Sequence, residues 1–189
     1  HSFRNEDEFS KEVTAFFRRQ INKSGMKNIT LAEKEKILKD FTIGKNSEEK
    51  WRLLAGFQQQ DIVFYNPALS IPLSDLRSDF IQIDKVDRTG KKKIAIPFVV
   101  CELKIGSKTN THSLITYASI SNQLKGVFPY CAYYFIMDSN QERGMKPETV
   151  LRHSKGFDRV FLNWESEKEK IWDAIRAHLD YLNKAELSF

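Results

Sequence analysis

Three residues of this 189-residue chain have the types to act together: Asp61, Glu102 and Lys104. Glu102 and Lys104 close the run IAIPFVVCELKI (94–105), which is apolar until Glu102 appears. Strand side chains alternate with period two, so Glu102 and Lys104 project from one face and Leu103 from the other. A near-continuous apolar run of this kind suits a strand covered on both faces. Charges at the end of such a strand destabilise it unless something neutralises them, as a divalent cation with a phosphate would. Ligands of parallel α/β sheets collect outside the carboxyl ends of the strands, which is where this pair falls. Asp61 opens a second β-like run, DIVFY (61–65). Two carboxylates can share one hard cation, which prefers oxygen ligands, and the Leu103 carbonyl can supply a third.

The acid-x-Lys spacing alone is weak. It also occurs at Glu48 and Lys50, in a charged stretch that reads as a solvated face. The second occurrence is set apart by its position at the end of a buried strand. A structural salt bridge in a sheet is the competing reading for Glu102 and Lys104, but it leaves Asp61 unexplained.

The elements that must position these residues follow from periodicity. Residues 5–22 read as a helix, with Phe9, Val13, Phe16 and Phe17 on one stripe. Thr30 and Glu33 have capping-box spacing and predict a second helix; Asn46 and Glu49 predict a short third one ending at Gly56. A loop holding Pro67 and Pro72 follows DIVFY. FIQIDKV (80–86) alternates like a strand, and DRTGKKK (87–93) reads as a turn joining it antiparallel to 94–105. A helix at about 111–126 and the apolar run CAYYFIM (131–137) then predict a parallel crossover. Pro147 to Gly156 brackets a short helix, RVFLNW (159–164) a last strand, and Ser166 begins a helix with Ile171, Ile175, Leu179 and Leu182 on one face. The expected fold is α/β, a mixed sheet with helices on both faces. The chain reads as one domain, with a helical part at 5–56, a core at about 57–137 and a strand and helix at 157–184.

Asp61, a hairpin, Glu102-x-Lys104, a helix and a strand together resemble the PD-(D/E)xK nuclease superfamily, which includes many restriction endonucleases. The resemblance covers roughly 57–137 and the helix at 5–22. It departs from the pattern at Gln60, which stands where the motif has proline. It implies a restriction-endonuclease-like αβββαβ core. It also implies that Asp61, Glu102 and the Leu103 carbonyl hold Mg²⁺, with Mn²⁺ as a substitute, and that Lys104 and the metal activate water against a phosphodiester. The products would carry a 5′-phosphate and a 3′-hydroxyl. Double-stranded DNA is the implied partner, in a restriction or phage-defence setting. An RNA-cleaving toxin of the same fold and a non-catalytic binding module are the alternatives. Members often add an acid from the first helix; Glu12, at the edge of the Phe9/Phe16 stripe, fits that role or is simply exposed, and Glu8 points further away. Cutting both strands of a duplex would favour a homodimer.

Other residues invite chemistry with less reason. The net charge of +5 and pI near 9.1 lean toward polyanions. Lys91, Lys92 and Lys93, and Lys146, Arg152 and Lys155, could grip phosphates or be solvated. Tyr130, Tyr133 and Tyr134 could stack on bases but belong to an apolar run. Thr109, Asn110, Thr111 and Ser113 read as helix-cap residues. Gln123 belongs to no complete motif, because Val127 stands where a tyrosine would be needed. Segments 66–79 and 138–156 are candidate recognition loops. Cys101 and Cys131 read as buried free thiols of a reducing, cytoplasmic compartment. His1, His112, His153 and His178 form no ligand pair. No apolar run is long enough to span a membrane. The chain could be one domain of a larger protein.

Overall fold

The computed structural model describes residues 3–46, 48–76, 81–83, 93–106, 109–138 and 146–185. Helix α1 (Glu6–Ser24) is capped by the Asn5 side chain, which accepts from the Glu8 N–H, and ends at Gly25 in the left-handed conformation (φ 69°). Strands β1 (Thr30–Lys45) and β2 (Trp51–Pro72) form a long antiparallel hairpin. The short helix α2 (Leu73–Leu76) and strand β3 (Ile81–Ile83) follow, then β4 (Lys93–Ile105), α3 (Thr111–Val127), β5 (Ala132–Asp138), α4 (Pro147–His153), β6 (Arg159–Phe161) and α5 (Trp164–Lys184).

Among the described residues six strands make one mixed sheet in the order β1-β2-β4-β5-β6, with β3 beside β2. β2 runs antiparallel to β1 and β4; β4, β5 and β6 run parallel. Helices cover both faces. On one, Phe9, Phe16 and Phe17 of α1 and Trp172, Ile175 and Leu179 of α5 pack on Ile62, Phe64, Cys101 and Leu103. On the other, Leu114, Ile120 and Leu124 of α3 and Val150 of α4 pack on Val63, Val100, Tyr133 and Phe135. Both cysteines are free and buried. Among the described residues no helix is long and apolar enough to cross a membrane.

Several expectations are corrected. The second helix is strand β1, in which Ile37 and Leu38, adjacent in sequence, are both buried, in different clusters. That placement mimics helical spacing. The third helix is a hairpin turn. Asn46 does bond the local backbone, accepting from the Glu48 and Lys50 N–H groups, but it closes a turn with Glu49 left-handed (φ 60°). Gly56 sits inside β2, opposite Asp40, and leaves room for that side chain. The N-terminal part is therefore only partly helical. The loop with Pro67 and Pro72 is the irregular end of β2, whose ladder to β4 slips between Tyr65 and Ser70. β3 pairs parallel with Leu53–Ala55 of β2 and, among the described residues, with no part of β4; the rest of the expected hairpin, at 80 and 84–92, lies outside them. The basic turn, with Lys91 and Lys92, lies outside the described residues; Lys93 opens β4. The last strand stops at Phe161 because Asn163 caps α5 two residues later.

Gly156 ties the α4–β6 turn to α3. Its carbonyl accepts from Ser121 Oγ at 2.7 Å, and a Cβ added there would meet the Ala118 Cα at 2.7 Å. That neighbour is helix backbone and cannot rotate away. Gly156→Ala should therefore destabilise the fold by about 1–3 kcal/mol, read as a lower urea midpoint with an unchanged slope.

Candidate active site

The β2–β4 ladder ends at the pair Ile62 and Cys101. One step further, the two strands are joined by a side chain: Asp61 Oδ2 accepts the Leu103 N–H at 2.8 Å. In an extended strand a residue's N–H and C=O leave on the same side, so the Leu103 carbonyl faces the same gap. The structure thus brings Asp61 to the middle of Glu102-x-Lys104.

Asp61 reaches the gap through a matched irregularity in β1 and β2. Glu33 pairs with Ile62 and Glu35 with Gln60, and between them Lys34 stands across from Asp61 with φ 50°. The left-handed region is uncommon for a side-chain-bearing residue. The faces of both strands swap there. Gln60 bonds the Tyr133 hydroxyl (2.8 Å) on the α3 side, while Ile62, two residues on, packs on the α1 side. Leu31 and Ile37 of β1, an even number of residues apart, also lie on opposite faces. A regular strand would keep each pair together.

Glu102 and Lys104 form a close pair. Lys104 Nζ is 2.8 Å from Glu102 Oε1 and 3.9 Å from Glu6 Oε1, and its side chain is only 12% exposed. Tyr117 of α3 completes the group: the Lys104 ammonium lies 4.8 Å from its ring centroid, and its hydroxyl favours the ionised form of Glu102. Burial, then the Asp61 charge, push the Glu102 carboxyl up to about 8 against the pull of Lys104. Burial opposes the Lys104 charge, but Glu102 outweighs it and holds the ammonium above its ordinary range. Burial and then Glu102 raise the Tyr117 hydroxyl to about 12.

A cavity of about 140 Å³ opens beside this group, lined by Glu6, Asp7, Ser10, Lys34, Asp61 and Leu103. Glu102 is not among its walls. Among the described residues no three His, Cys, Asp or Glu side chains cluster as a metal cage. Asp61, Glu102 and the Leu103 carbonyl are a smaller, all-oxygen set, of the kind hard cations take.

Of the two readings of Glu12, the exposed carboxylate is the one that holds. Glu12 accepts the indole N–H of buried Trp164 at 3.2 Å, so it faces α5. Glu6 and Asp7, in the first turn, face the cavity instead. Sequence reasoning also misses Tyr117. Its signal is present all the same: Leu114, Tyr117, Ser121 and Leu124 follow helical spacing on the sheet-facing stripe. The remaining candidates divide. Asn110 caps α3, accepting from the Ser113 N–H. Tyr133 and Tyr134 are buried and Tyr130 is exposed. Gln123 accepts from Lys39 on the surface. Of the proposed recognition loops, 66–72 belongs to β2 and 147–153 is α4; 77–80 and 139–145 lie outside the described residues.

No family model matches the chain, and no curated protein does. Among solved structures, the native BbvCI A2B2 tetramer is similar with a TM-score of 0.41 and 12% identity. The match covers 70% of this chain and 45% of that one, so this chain spans less than half of its neighbour's length.

The Glu102 shift sets a pH dependence. A carboxyl whose pKa rises on folding adds stability that is complete below its ordinary value of 4.5 and is lost as pH climbs to about 8. Without divalent cations, Glu102→Gln should gain on the wild type in unfolding free energy across that window. A constant difference between pH 5 and pH 8 would contradict it.

Proposed function

We propose that the chain is a metal-dependent endonuclease that hydrolyses DNA phosphodiester bonds in a restriction or phage-defence setting. The observation that carries this reading is the Asp61 carboxylate bonded to the Leu103 N–H, between Glu102 and Lys104, at the point where two strands part. A merely structural Glu102–Lys104 bridge has no use for a third charge that raises the Glu102 pKa. A nuclease site does.

The residues suit a hard divalent cation. Glu102 is buried beside Asp61 and resists charging there, a conflict that a cation between oxygen donors relieves. Asp61, Glu102 and the Leu103 carbonyl would hold Mg²⁺, or Mn²⁺ in its place. When bound, such an ion supplies a Lewis acid and lowers the pKa of a water. Lys104 has its ammonium fixed by Glu102 and Tyr117, so it can orient water and stabilise negative charge growing on the phosphate. Tyr117 acts through Lys104 as a positioning residue. Glu6 contacts both Lys104 and the cavity and is the α1 acid best placed to contribute. The products expected from the resemblance are a 5′-phosphate and a 3′-hydroxyl. The net charge of +5 favours a polyanionic partner, and cleavage of both strands of a duplex would call for a symmetric dimer.

The test is cleavage of plasmid DNA, single-stranded DNA and transfer RNA with Mg²⁺, with EDTA as control. Asp61→Ala and Lys104→Ala should each lower the rate on the order of a hundredfold or more, and Tyr117→Phe about tenfold. Glu12→Ala should change stability rather than cleavage. Activity that survives EDTA or both alanine substitutions would sink the mechanism. Cleavage of transfer RNA alone would move the substrate to RNA, and binding without cleavage would favour a non-catalytic module.

A further inference from the structure

Lys34 has a place in the site that the ion-pair core does not explain. It is a β-strand residue held at φ 50°, directly across from Asp61. A glycine would hold that backbone without steric penalty. Strained side-chain-bearing residues persist mainly where function or packing demands them, and Lys34 packs against little: its side chain is 59% exposed. Lys34 lines the mouth of the same cavity as Asp61 and Leu103, and its ammonium is bonded there to Asp7, another lining residue.

The charges at that mouth are unbalanced. Glu6, Asp7 and Asp61 supply carboxylates and Lys34 the ammonium. A phosphodiester approaching this cavity meets repulsion unless a cation at the rim offsets it. Lys104 is engaged by Glu102 at 2.8 Å and nearly covered. Lys34 is bonded to Asp7 Oδ1 at 3.0 Å, and the Asp7 side chain is itself 72% exposed. Exposed pairs of this kind are weak and exchange readily.

We propose that Lys34 is a substrate-binding residue whose ammonium leaves Asp7 to take a non-bridging phosphate oxygen of the nucleic-acid backbone beside the Asp61 cavity. This rests on the nuclease reading and adds to it a contact outside the Asp61, Glu102 and Lys104 set. The contact is to backbone, so it tightens binding to every sequence and carries no base preference.

Binding is measured with the full chain and a fluorescein-labelled DNA duplex in EDTA, by anisotropy across a salt series, so that no cleavage intervenes. Lys34→Gly removes the charge and relieves the strain together. It should weaken binding roughly three- to tenfold and reduce the slope of log K against log salt by about 0.9, the loss of one phosphate contact. Lys34→Arg should restore the slope. Thermal unfolding of the glycine variant should be unchanged or improved, which separates a lost contact from a damaged fold. Wild-type affinity and slope in Lys34→Gly, with wild-type binding and cleavage intact, would overturn the role of Lys34 and leave the nuclease reading standing. A wild type that neither binds nor cleaves any nucleic acid would overturn both.

Discussion

A backbone N–H at the end of a ladder must find an acceptor. Where β2 stops pairing with β4, Leu103 finds one in the side chain of Asp61 rather than in a main-chain carbonyl. This single bond lets the two strands separate without leaving a donor unsatisfied. Separation opens the cavity, and the Leu103 carbonyl faces the gap that results. Asp61 can serve as acceptor only because β1 and β2 deviate together at Lys34 and Asp61. A regular β2 would set Gln60 and Ile62 on one face, so that either the Gln60–Tyr133 bond or the packing of Ile62 would be lost.

The buried charges make sense against that geometry. Glu102 sits in the apolar end of β4, and every group nearby acts on its proton: Asp61 opposes ionisation, while Lys104 and Tyr117 favour it. Tyr117 depends in turn on the depth at which α3 lies. That depth is set from behind by Gly156, whose backbone touches Ala118, the residue after Tyr117. A contact outside the Asp61, Glu102 and Lys104 group thus fixes the distance between a ring and an ammonium. Packing and site chemistry are coupled through one helix.

The sequence is most legible where one rule acts alone. Strands β4, between Lys93 and Glu102, and β5, up to Asp138, are apolar because both faces are covered, and their expected boundaries agree with the observed ones to a residue. Helices α1, α3 and α5 carry clear stripes with Asn caps. The misreadings cluster at 30–72, and they share a cause. A strand whose facing swaps in the middle loses its period-two signature, and polar residues that make turns imitate helix caps. Asn46 and Glu49 mislead in this way, while Thr30 and Glu33 show the same spacing inside strand β1. Asp61, Glu102 and Lys104 can be chosen because residue type and strand position suffice to place them. Lys34 cannot, since it depends on a backbone outlier, and Tyr117 shows only its place on the α3 stripe, because its reach depends on the helix's depth. Glu12 keeps two readings in the sequence for a related reason: periodicity puts it at the edge of the apolar stripe but cannot say that a buried indole waits there.

Helix α1 therefore separates two demands that its sequence presents together. Acidic residues in a first turn are favoured by the helix dipole whatever their function, so Glu6, Asp7 and Glu8 carry no distinguishing signal by type. Direction distinguishes them. Glu8 turns back to the Arg4 N–H, Asp7 pairs with Lys34, and Glu6 lies near Lys104. Glu12, further along the helix, reaches Trp164, against which Phe9, Phe16 and Phe17 pack edge-on. The aromatic cluster that anchors α1 thus fixes the rotation of the helix about its axis. Rotation decides which carboxylates face the cavity. The core behind the helix, rather than the acids at its tip, sets the charge in front of Asp61.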